Sequence, residues 1–326
     1  MGKSTMTTGT LRRPPPRPAA PDGTAPGARP RYRRNRPGIA YLFLSPWVAG
    51  ALLLTIGPML ASLYLSFTDY DLFTSPEWVG LENYQRLFAD DARFLASAKV
   101  TAMYVLISVP LKLAAALAVA LLLNRKRRGQ GFYRSAFYAP SLLGTGVAIA
   151  LVWRAMFTDA GVVDSVTGTF GWDTGGWINE PDYALYVLII LAVWQFGAPM
   201  VIFLAGLKQI PTELYDAAAV DGSGTWRTFR SVTLPMLSPI ILFNLVLETI
   251  HAFQAFTPAF IVSGGRGGPS NSTLFYTLYL YERGFSQFRM GYASAMAWLL
   301  LLVIAIITAL FFGTSRRWVF YSGEDR

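Results

Sequence analysis

Six long apolar stretches, separated by polar segments, set the pattern of this chain. They lie at about residues 39–67, 95–123, 135–158, 183–207, 236–262 and 290–313. A bilayer core about 30 Å thick is crossed by roughly 20 apolar residues in a helix, so each stretch is long enough for one crossing. The pattern predicts an all-α fold, a polytopic transmembrane helical bundle with six spans.

The charges between these stretches predict the orientation of the bundle. Residues 68–94 hold six acids and two bases, and residues 159–182 hold five acids and no base, whereas five bases lie within residues 124–134. Because cytoplasmic segments are enriched in Lys and Arg, both termini are predicted in the cytoplasm. Residues 264–289, with three bases and one acid, are then an external loop that runs mildly against the rule.

Composition agrees with the membrane class and sets the domain boundaries. The chain is 53% hydrophobic and only 14% charged, against about 25% charged residues in soluble domains. Residues 1–38 are predicted to be a disordered, basic cytoplasmic tail, residues 39–313 the six-span domain, and residues 314–326 a short cytoplasmic tail. The net charge of +9 belongs beside a lipid surface, which argues against nucleic acid as a partner. Without cysteine, a metal site built on sulfur is excluded.

A polar insert at residues 208–235 has no counterpart in a simple hydrophobic bundle. Pro211 sets a backbone angle that suits a helix start, and Thr212 is a candidate cap. A short helix with three successive alanines, Ala217–Ala219, follows, and its flat surface lets another backbone approach closely. Gly222 ends this helix, because glycine adopts the left-handed conformation of a helix terminus.

A second short helix completes the insert. Trp226, Phe229 and Val232 recur at intervals of three, which gives the helix an apolar face. Leu234-Pro235 is predicted to end it before the next span. From the residues alone, the insert fits either a docking element or an ordinary interfacial helix.

Several motifs in and around the insert resemble one family. Asp216-Ala217-Ala218, Asp221-Gly222, Phe229 and Leu234-Pro235 are similar to the EAA loop of permease subunits in bacterial binding-protein-dependent ABC importers. Asp216 stands where that motif usually has Glu. The chain from Tyr41 to Trp318 resembles carbohydrate-uptake permeases of the maltose and glycerol-phosphate type. Gly267-Gly268-Pro269, Thr273 and Tyr279-Leu280-Tyr281 resemble the first permease of the usual pair.

The resemblance implies a division of labour between subunits. The loop residues expected to couple to a separate ATPase are Tyr215, Asp216, Ala217, Ala218, Asp221, Gly222 and Phe229. The implied partners are a second homologous permease, two copies of an ABC ATPase and an extracytoplasmic solute-binding protein. ATP and Mg²⁺ would be used by the ATPase, since this chain has neither a complete phosphate-binding loop nor a catalytic constellation. No cofactor is expected on the chain itself, and it is not predicted to be an enzyme.

Polar residues inside the spans are candidates for a substrate pathway. Glu248 lies near the middle of the fifth span, where a carboxylate is costly and therefore suggests function. Asn244 and His251 fall on the same helical face as Glu248. Gln195 is a candidate for the same cavity, and Lys112 is a candidate ion-pair partner of Glu248. The alternative is a helix–helix contact in which these polar groups satisfy one another.

Taken together, the sequence predicts the permease subunit of an ATP-driven carbohydrate importer in a bacterial cell membrane. Two alternatives stay open. One is an importer of the same architecture for a polyamine or phosphate ester. The other is a secondary transporter driven by an ion gradient, in which Glu248 and His251 carry protons.

Overall fold

The computed structural model describes residues 37–125, 128–143, 146–171 and 175–320. The predicted basic tail lies outside the described residues except for its last two positions, Pro37 and Gly38, which begin the first helix. The last six residues, 321–326, also lie outside them. The chain divides into two compact units, the second of which begins at Gly57.

In the described part of the first unit, a helix, α1 (Pro37–Ala51), is followed by a π-helical turn at Leu52–Ile56. The described helices of the second unit are α2 (Gly57–Leu65), α3 (Glu82–Ala89), α4 (Ala92–Asn124), α5 (Gln130–Leu143), α6 (Val147–Phe157), α7 (Val162–Gly168), α8 (Pro181–Trp194), α9 (Gly197–Leu207), α10 (Thr212–Val220), α11 (Thr225–Thr228), α12 (Leu234–Phe253), α13 (Thr257–Val262), α14 (Tyr276–Tyr281) and α15 (Met290–Ser315). Two further π-helical turns lie at Phe229–Thr233 and Glu282–Ser286.

A small antiparallel pair of strands departs from the predicted all-α fold. Strand β1 (Thr68–Asp69) pairs with β2 (Glu77–Trp78) in the polar segment after α2. The Asn83 side chain donates hydrogen bonds to the carbonyls of Ser66 and Thr68 and so ties α3 to this hairpin. The remainder of the second unit is a helical bundle.

Five helical segments are long and apolar enough to cross a membrane, and they match five of the six predicted stretches. They are Tyr41–Leu65, Ala92–Asn124, Pro181–Leu207, Thr225–Val262 and Met290–Ser315. The stretch predicted as one span at 135–158 is instead divided into α5 and α6, and Gln130–Leu143 meets Val147–Gly168 at an angle of 91°. The count is therefore five spans, or six if the bent pair crosses as one.

The long helix α4 organises the second unit. It packs against α8, α9, α12 and α14. Ala116 and Ala120 on α4 are fully buried. On α9, Met200 and Phe203 are no more than 1% exposed. Because alanine has only a methyl side chain, neighbouring helices can approach α4 closely and fill the space with larger side chains.

The segment predicted as an external loop, 264–289, packs its middle part, residues 273–279, into the unit. Its helix α14 contains Leu278 and Tyr279, both with no exposed surface. The Tyr276 amide donates a 2.8 Å hydrogen bond to Thr101 Oγ1 on α4, and the Tyr276 hydroxyl donates to the Met296 carbonyl on α15. These bonds satisfy polar groups that would otherwise make burial of a connecting segment costly.

The end of the described chain also contacts the bundle. After α15 ends at Ser315, the Phe320 amide donates a 2.8 Å hydrogen bond to Ser238 Oγ on α12. Part of the segment predicted as a C-terminal tail is therefore held against a core helix.

Candidate functional site

A cavity of about 390 Å³ lies within the second unit, between α4, α8 and α12. Its lining combines polar groups with aliphatic and aromatic surface. The polar and aromatic lining residues are Tyr104, Ser108, Lys112, Gln195, Glu248, His251, Gln254, Phe256 and Thr257. A cavity of this size with a few convergent polar groups is typical of a small-molecule site.

One wall of the cavity carries a buried ion pair. The Nζ atom of Lys112 lies 2.7 Å from Oε2 of Glu248, and only 16% and 10% of the two side chains is exposed. The pairing that the sequence suggested for these residues is thus present in the structure. Each charge offsets part of the desolvation cost of the other, which explains how both are accommodated in the interior of the bundle.

The face of α4 toward the cavity includes two residues that the sequence analysis missed. Tyr104, Ser108 and Lys112 are spaced by four, which aligns them along one side of the helix. Because Lys112 was already a candidate partner of Glu248, the spacing of four residues could have identified Ser108 and Tyr104 from the sequence. Together the three residues line the cavity with two hydroxyl groups and an ammonium group.

The stripe predicted on α12 is only partly in the cavity. Glu248 and His251 line it, but Asn244 does not. Asn244 is 1% exposed, and its Nδ2 atom has no hydrogen-bond partner among the described residues. Helix α12 packs against α4 and α9, and its first residue that lines the cavity is Glu248. Asn244 lies on the same helical face as Glu248 but one turn earlier, where it is buried outside the cavity.

Gln195 lines the cavity from a break between two helices. It follows the last residue of α8, and α9 begins at Gly197. The Ser141 hydroxyl of α5 donates to the Gln195 carbonyl (2.9 Å) and accepts from the Ala198 amide (3.0 Å). Gly197 permits this contact, since a Cβ there would lie 2.7 Å from the Phe137 carbonyl oxygen and from Ser141 Oγ.

A second break also contributes to the cavity lining, and the sequence analysis did not identify it. Helix α12 ends at Phe253, Gln254 follows, and α13 begins at Thr257. The Thr277 hydroxyl donates to the Ala255 carbonyl inside this break. Gln254 is exposed in the cavity.

The two breaks share a sequence signal. Gln195 is followed four residues later by Pro199, and Gln254 is followed four residues later by Pro258. In a continuous helix a proline cannot donate to the carbonyl four residues earlier, and its ring clashes with that carbonyl. The carbonyl four residues before each proline belongs to a glutamine, so neither proline can donate the usual helical hydrogen bond to it, and this spacing was a signal for Gln254.

The insert at 208–235 forms its predicted first helix, α10, at one end of the bundle. Tyr215 anchors it through a 3.1 Å hydrogen bond between its hydroxyl and Thr233 Oγ1. Ala218 faces inward, whereas Asp216, Ala217 and Asp221 are exposed. The prediction that Thr212 caps this helix is wrong. Thr212 is the first helical residue, and the N-cap position is taken by Pro211, which makes no side-chain capping hydrogen bond.

Gly222 ends α10 as predicted. Its φ angle is +68°, in the left-handed region. The Gly222 amide donates to the Ala219 carbonyl (3.0 Å) and the Ser223 amide to the Ala218 carbonyl (2.9 Å). This pair of bonds is a Schellman motif, which satisfies two of the carbonyls that a helix end leaves free.

The prediction that Leu234-Pro235 ends the second helix is wrong. Helix α11 continues through the π-helical turn at Phe229–Thr233 directly into α12, so that one helical segment runs from Thr225 to Phe253. Pro235 lies in the first turn of α12. Proline lacks an amide proton, and the π-helical turn before it shifts the hydrogen-bond pattern so that the helix passes the proline without ending. Phe229 begins this turn, and its ring stacks on Trp226.

Comparisons with known proteins agree on one class. The family described as "Binding-protein-dependent transport system inner membrane component" matches residues 100–319. The chain is 50% identical over 286 residues to the "Probable ABC transporter permease protein YesP" of Bacillus subtilis strain 168, covering 87% of this chain and 93% of that protein. It is 32% identical to the "Probable starch degradation products transport system permease protein AmyD" of Thermoanaerobacterium thermosulfurigenes, with 84% and 92% coverage.

A solved structure shares the fold. It is a bacterial alginate ABC transporter in complex with an alginate pentasaccharide-bound periplasmic protein, and one of its chains superposes with a TM-score of 0.74 at 21% identity. The match covers 86% of this chain and 95% of that one.

Proposed function

The chain belongs to the family of inner membrane components of binding-protein-dependent transport systems, and from that membership we propose that it is a permease subunit of an ATP-driven carbohydrate importer. The relative named for starch degradation products, 32% identical over 84% of this chain, supports carbohydrate as the substrate class. The cavity described above supports a translocation pathway through the second unit.

The observation that carries the proposal is the polar cavity at membrane depth. A charged pair, Lys112 and Glu248, is retained there next to glutamine and hydroxyl groups. Intramembrane polar groups are costly and are therefore kept mostly for function. Because the two charges neutralise each other, the cavity suits a neutral polyhydroxy compound, whose hydroxyls both donate and accept hydrogen bonds.

Coupling to a separate ATPase is assigned to α10 and the turn after it. The exposed side of α10 presents Asp216 and the methyl group of Ala217, so another backbone can approach closely. Tyr215, through its bond to Thr233, links this surface to the helical segment that continues into α12. A movement of α10 imposed by ATP and Mg²⁺ in the partner subunits would thereby reach the helix that carries Glu248. Asp221 and Gly222 end α10, and Phe229 begins the π-helical turn of that segment, so we assign to these three residues the angle between α10 and the segment.

The remaining partners follow from the surface of the chain and from its family. In the apolar segment Tyr41–Leu65, none of the most apolar window is buried. Such a surface suits membrane lipid or a second, homologous permease. An extracytoplasmic solute-binding protein is the third partner, as in the alginate transporter complex. The proposed location is a bacterial cell membrane.

For the membrane arrangement we propose six spans, with α5 and α6 forming the third, and both termini in the cytoplasm. A reporter that is active only in the cytoplasm tests this. It should work when fused after Arg128, Gly222 or Arg326 and fail after Asp173 or Ser270. A cytoplasmic signal after Asp173 would overturn the arrangement.

The function itself is tested by reconstituting the chain with its partner subunits in vesicles. Uptake of neutral oligosaccharides should require ATP and should continue when an ionophore collapses the proton gradient. If collapse of the gradient stops uptake while ATP removal does not, the alternative hypothesis is correct, in which the protein is a secondary transporter and Glu248 and His251 carry protons. Uptake of a polyamine or phosphate ester in place of sugars would reject the substrate class and keep the ATP-driven mechanism.

A further inference from the structure

Two of the helices that line the cavity break beside it, and each break begins with a glutamine. Gln195 follows α8, and Gln254 follows α12. In both places an aromatic residue precedes the glutamine, Trp194 in one and Phe253 in the other, and a proline lies four residues after it. The same local pattern thus occurs on two different helices that line the cavity.

A break at membrane depth exposes backbone groups that lipid cannot satisfy, so it is tolerated where protein or a water-filled cavity provides partners. Here the partners are hydroxyl groups from neighbouring helices. Ser141 bridges the first break by donating to the Gln195 carbonyl and accepting from the Ala198 amide. Thr277 donates to the Ala255 carbonyl in the second break. Neither hydroxyl group belongs to the cavity lining.

We propose that Gln254 is a sugar-binding residue of this cavity, and that Ser141 and Thr277 are positioning residues that fix the two breaks and so direct Gln195 and Gln254 toward the substrate. An amide side chain both donates and accepts hydrogen bonds, which matches a sugar hydroxyl. The charged groups of the cavity, Lys112 and Glu248, are occupied with each other. This inference rests on the proposed carbohydrate function.

The absence of cysteine from the chain allows a direct test in the complete importer reconstituted with its partners. Single variants Gln195→Cys, Gln254→Cys and, as a buried control, Leu237→Cys are treated with a small water-soluble methanethiosulfonate. We expect the first two to react at least tenfold faster than the control, because Leu237 has no exposed surface. A Gln254→Cys variant that reacts no faster than the control would overturn the proposal, whether or not any sugar is transported.

Transport kinetics test the sugar contact and the positioning roles. Maltotriose, lactose and arabinotriose are offered, and those taken up by the wild-type importer are used. Uptake of none of them, with normal cysteine reactivity, rejects the proposed function and not the geometry. For a transported sugar, saturation should slow labelling of Gln254→Cys at least fivefold, and Gln254→Ala should raise KM about tenfold with Vmax within twofold, which fits the loss of one or two hydrogen bonds.

The positioning residues have matched controls. Ser141→Ala and Thr277→Val should each raise KM about fivefold, as expected for about one lost hydrogen bond, and should change the labelling rate of the cysteine in the break concerned. Ser135→Ala, on the exposed side of the same helix α5, should leave KM unchanged, and Thr277→Ser should restore it. If Ser141→Ala and Thr277→Val lower only protein abundance or Vmax, the hydroxyls are structural and the positioning role is rejected.

Discussion

Asp91 Oδ2 lies 2.9 Å from Nη2 of Arg283, joining the start of α4 to the π-helical turn after α14. The same oxygen accepts 2.6 Å hydrogen bonds from the hydroxyls of Tyr279 and Tyr292. The other carboxylate oxygen accepts from the Phe94 amide and caps α4. One side chain therefore holds α4, α14 and α15 together at the end of the bundle that carries the hairpin.

Replacement of Asp91 should strongly destabilise the second unit. Asp91→Ala removes the helix cap, the carboxylate partner of Arg283 and the shared acceptor of two phenols, so we expect a loss of about 3–5 kcal/mol in the free energy of unfolding. The measurement is thermal unfolding of the purified importer in detergent. Asp90→Ala is the matched control, because Asp90 is exposed; equal effects of the two substitutions would show that the network is not the cause.

The same network predicts a pH dependence. Burial acts to raise the pKa of Asp91, but the hydrogen bonds from Tyr279 and Tyr292, the Phe94 amide and the charge of Arg283 outweigh it, and the pKa is lowered from 3.8. A lowered folded-state pKa contributes stability that is present above the unfolded value and is lost as the pH falls through the folded value. The stability difference between the wild type and Asp91→Asn should therefore be constant from about pH 5 to 7 and shrink below about pH 4. A difference that grows on acidification would contradict this assignment.

What the sequence could predict depended on the range of the interactions involved. The ion pair between Lys112 and Glu248 could be predicted because charges within apolar spans have few possible partners. The end of α10 at Gly222 could be predicted because it is set by the conformation of that residue and by hydrogen bonds within five residues. In both cases a local property or a severe solvation cost limits the alternatives.

The features that the sequence did not reveal depend on contacts between residues that are distant along the chain. The sequence predicted 264–289 only as a loop between two spans, whereas the structure packs residues 273–279 into the unit and pairs Arg283 with Asp91, which precedes it by 192 residues. The break at Gln195 is bridged by Ser141, 54 residues earlier. Asn244 shares a helical face with Glu248, but the neighbouring helices, which the periodicity does not describe, keep it out of the cavity lining.

The ion pair in the cavity should show strong coupling between its members. Lys112→Met or Glu248→Gln alone leaves one buried polar or charged group without its partner, and we expect a loss of about 3 kcal/mol in stability and a clear loss of uptake. The double variant should be more stable than either single variant, because no unpaired charge remains. Thermal unfolding and uptake of the four proteins complete the cycle, and additive effects would mean that the 2.7 Å contact contributes no coupling.

Coupling to the ATPase should depend on the backbone conformation at Gly222. This residue has a φ of +68°, whereas Gly224, two positions later, has a φ of −68°, and a Cβ at either position meets nothing within 4 Å. Gly222→Ser should therefore be strained by about 1–2 kcal/mol while Gly224→Ser is tolerated, and Gly222→Val should be more severe because β-branched residues resist the left-handed region.

We expect Gly222→Val to reach the membrane, to lose uptake, and to lose stimulation of the partner ATPase by the solute-binding protein. ATPase and uptake assays on the reconstituted importer measure both effects. Normal uptake by Gly222→Val would remove α10 from the coupling mechanism, since its angle to the segment leading into α12 would then not matter.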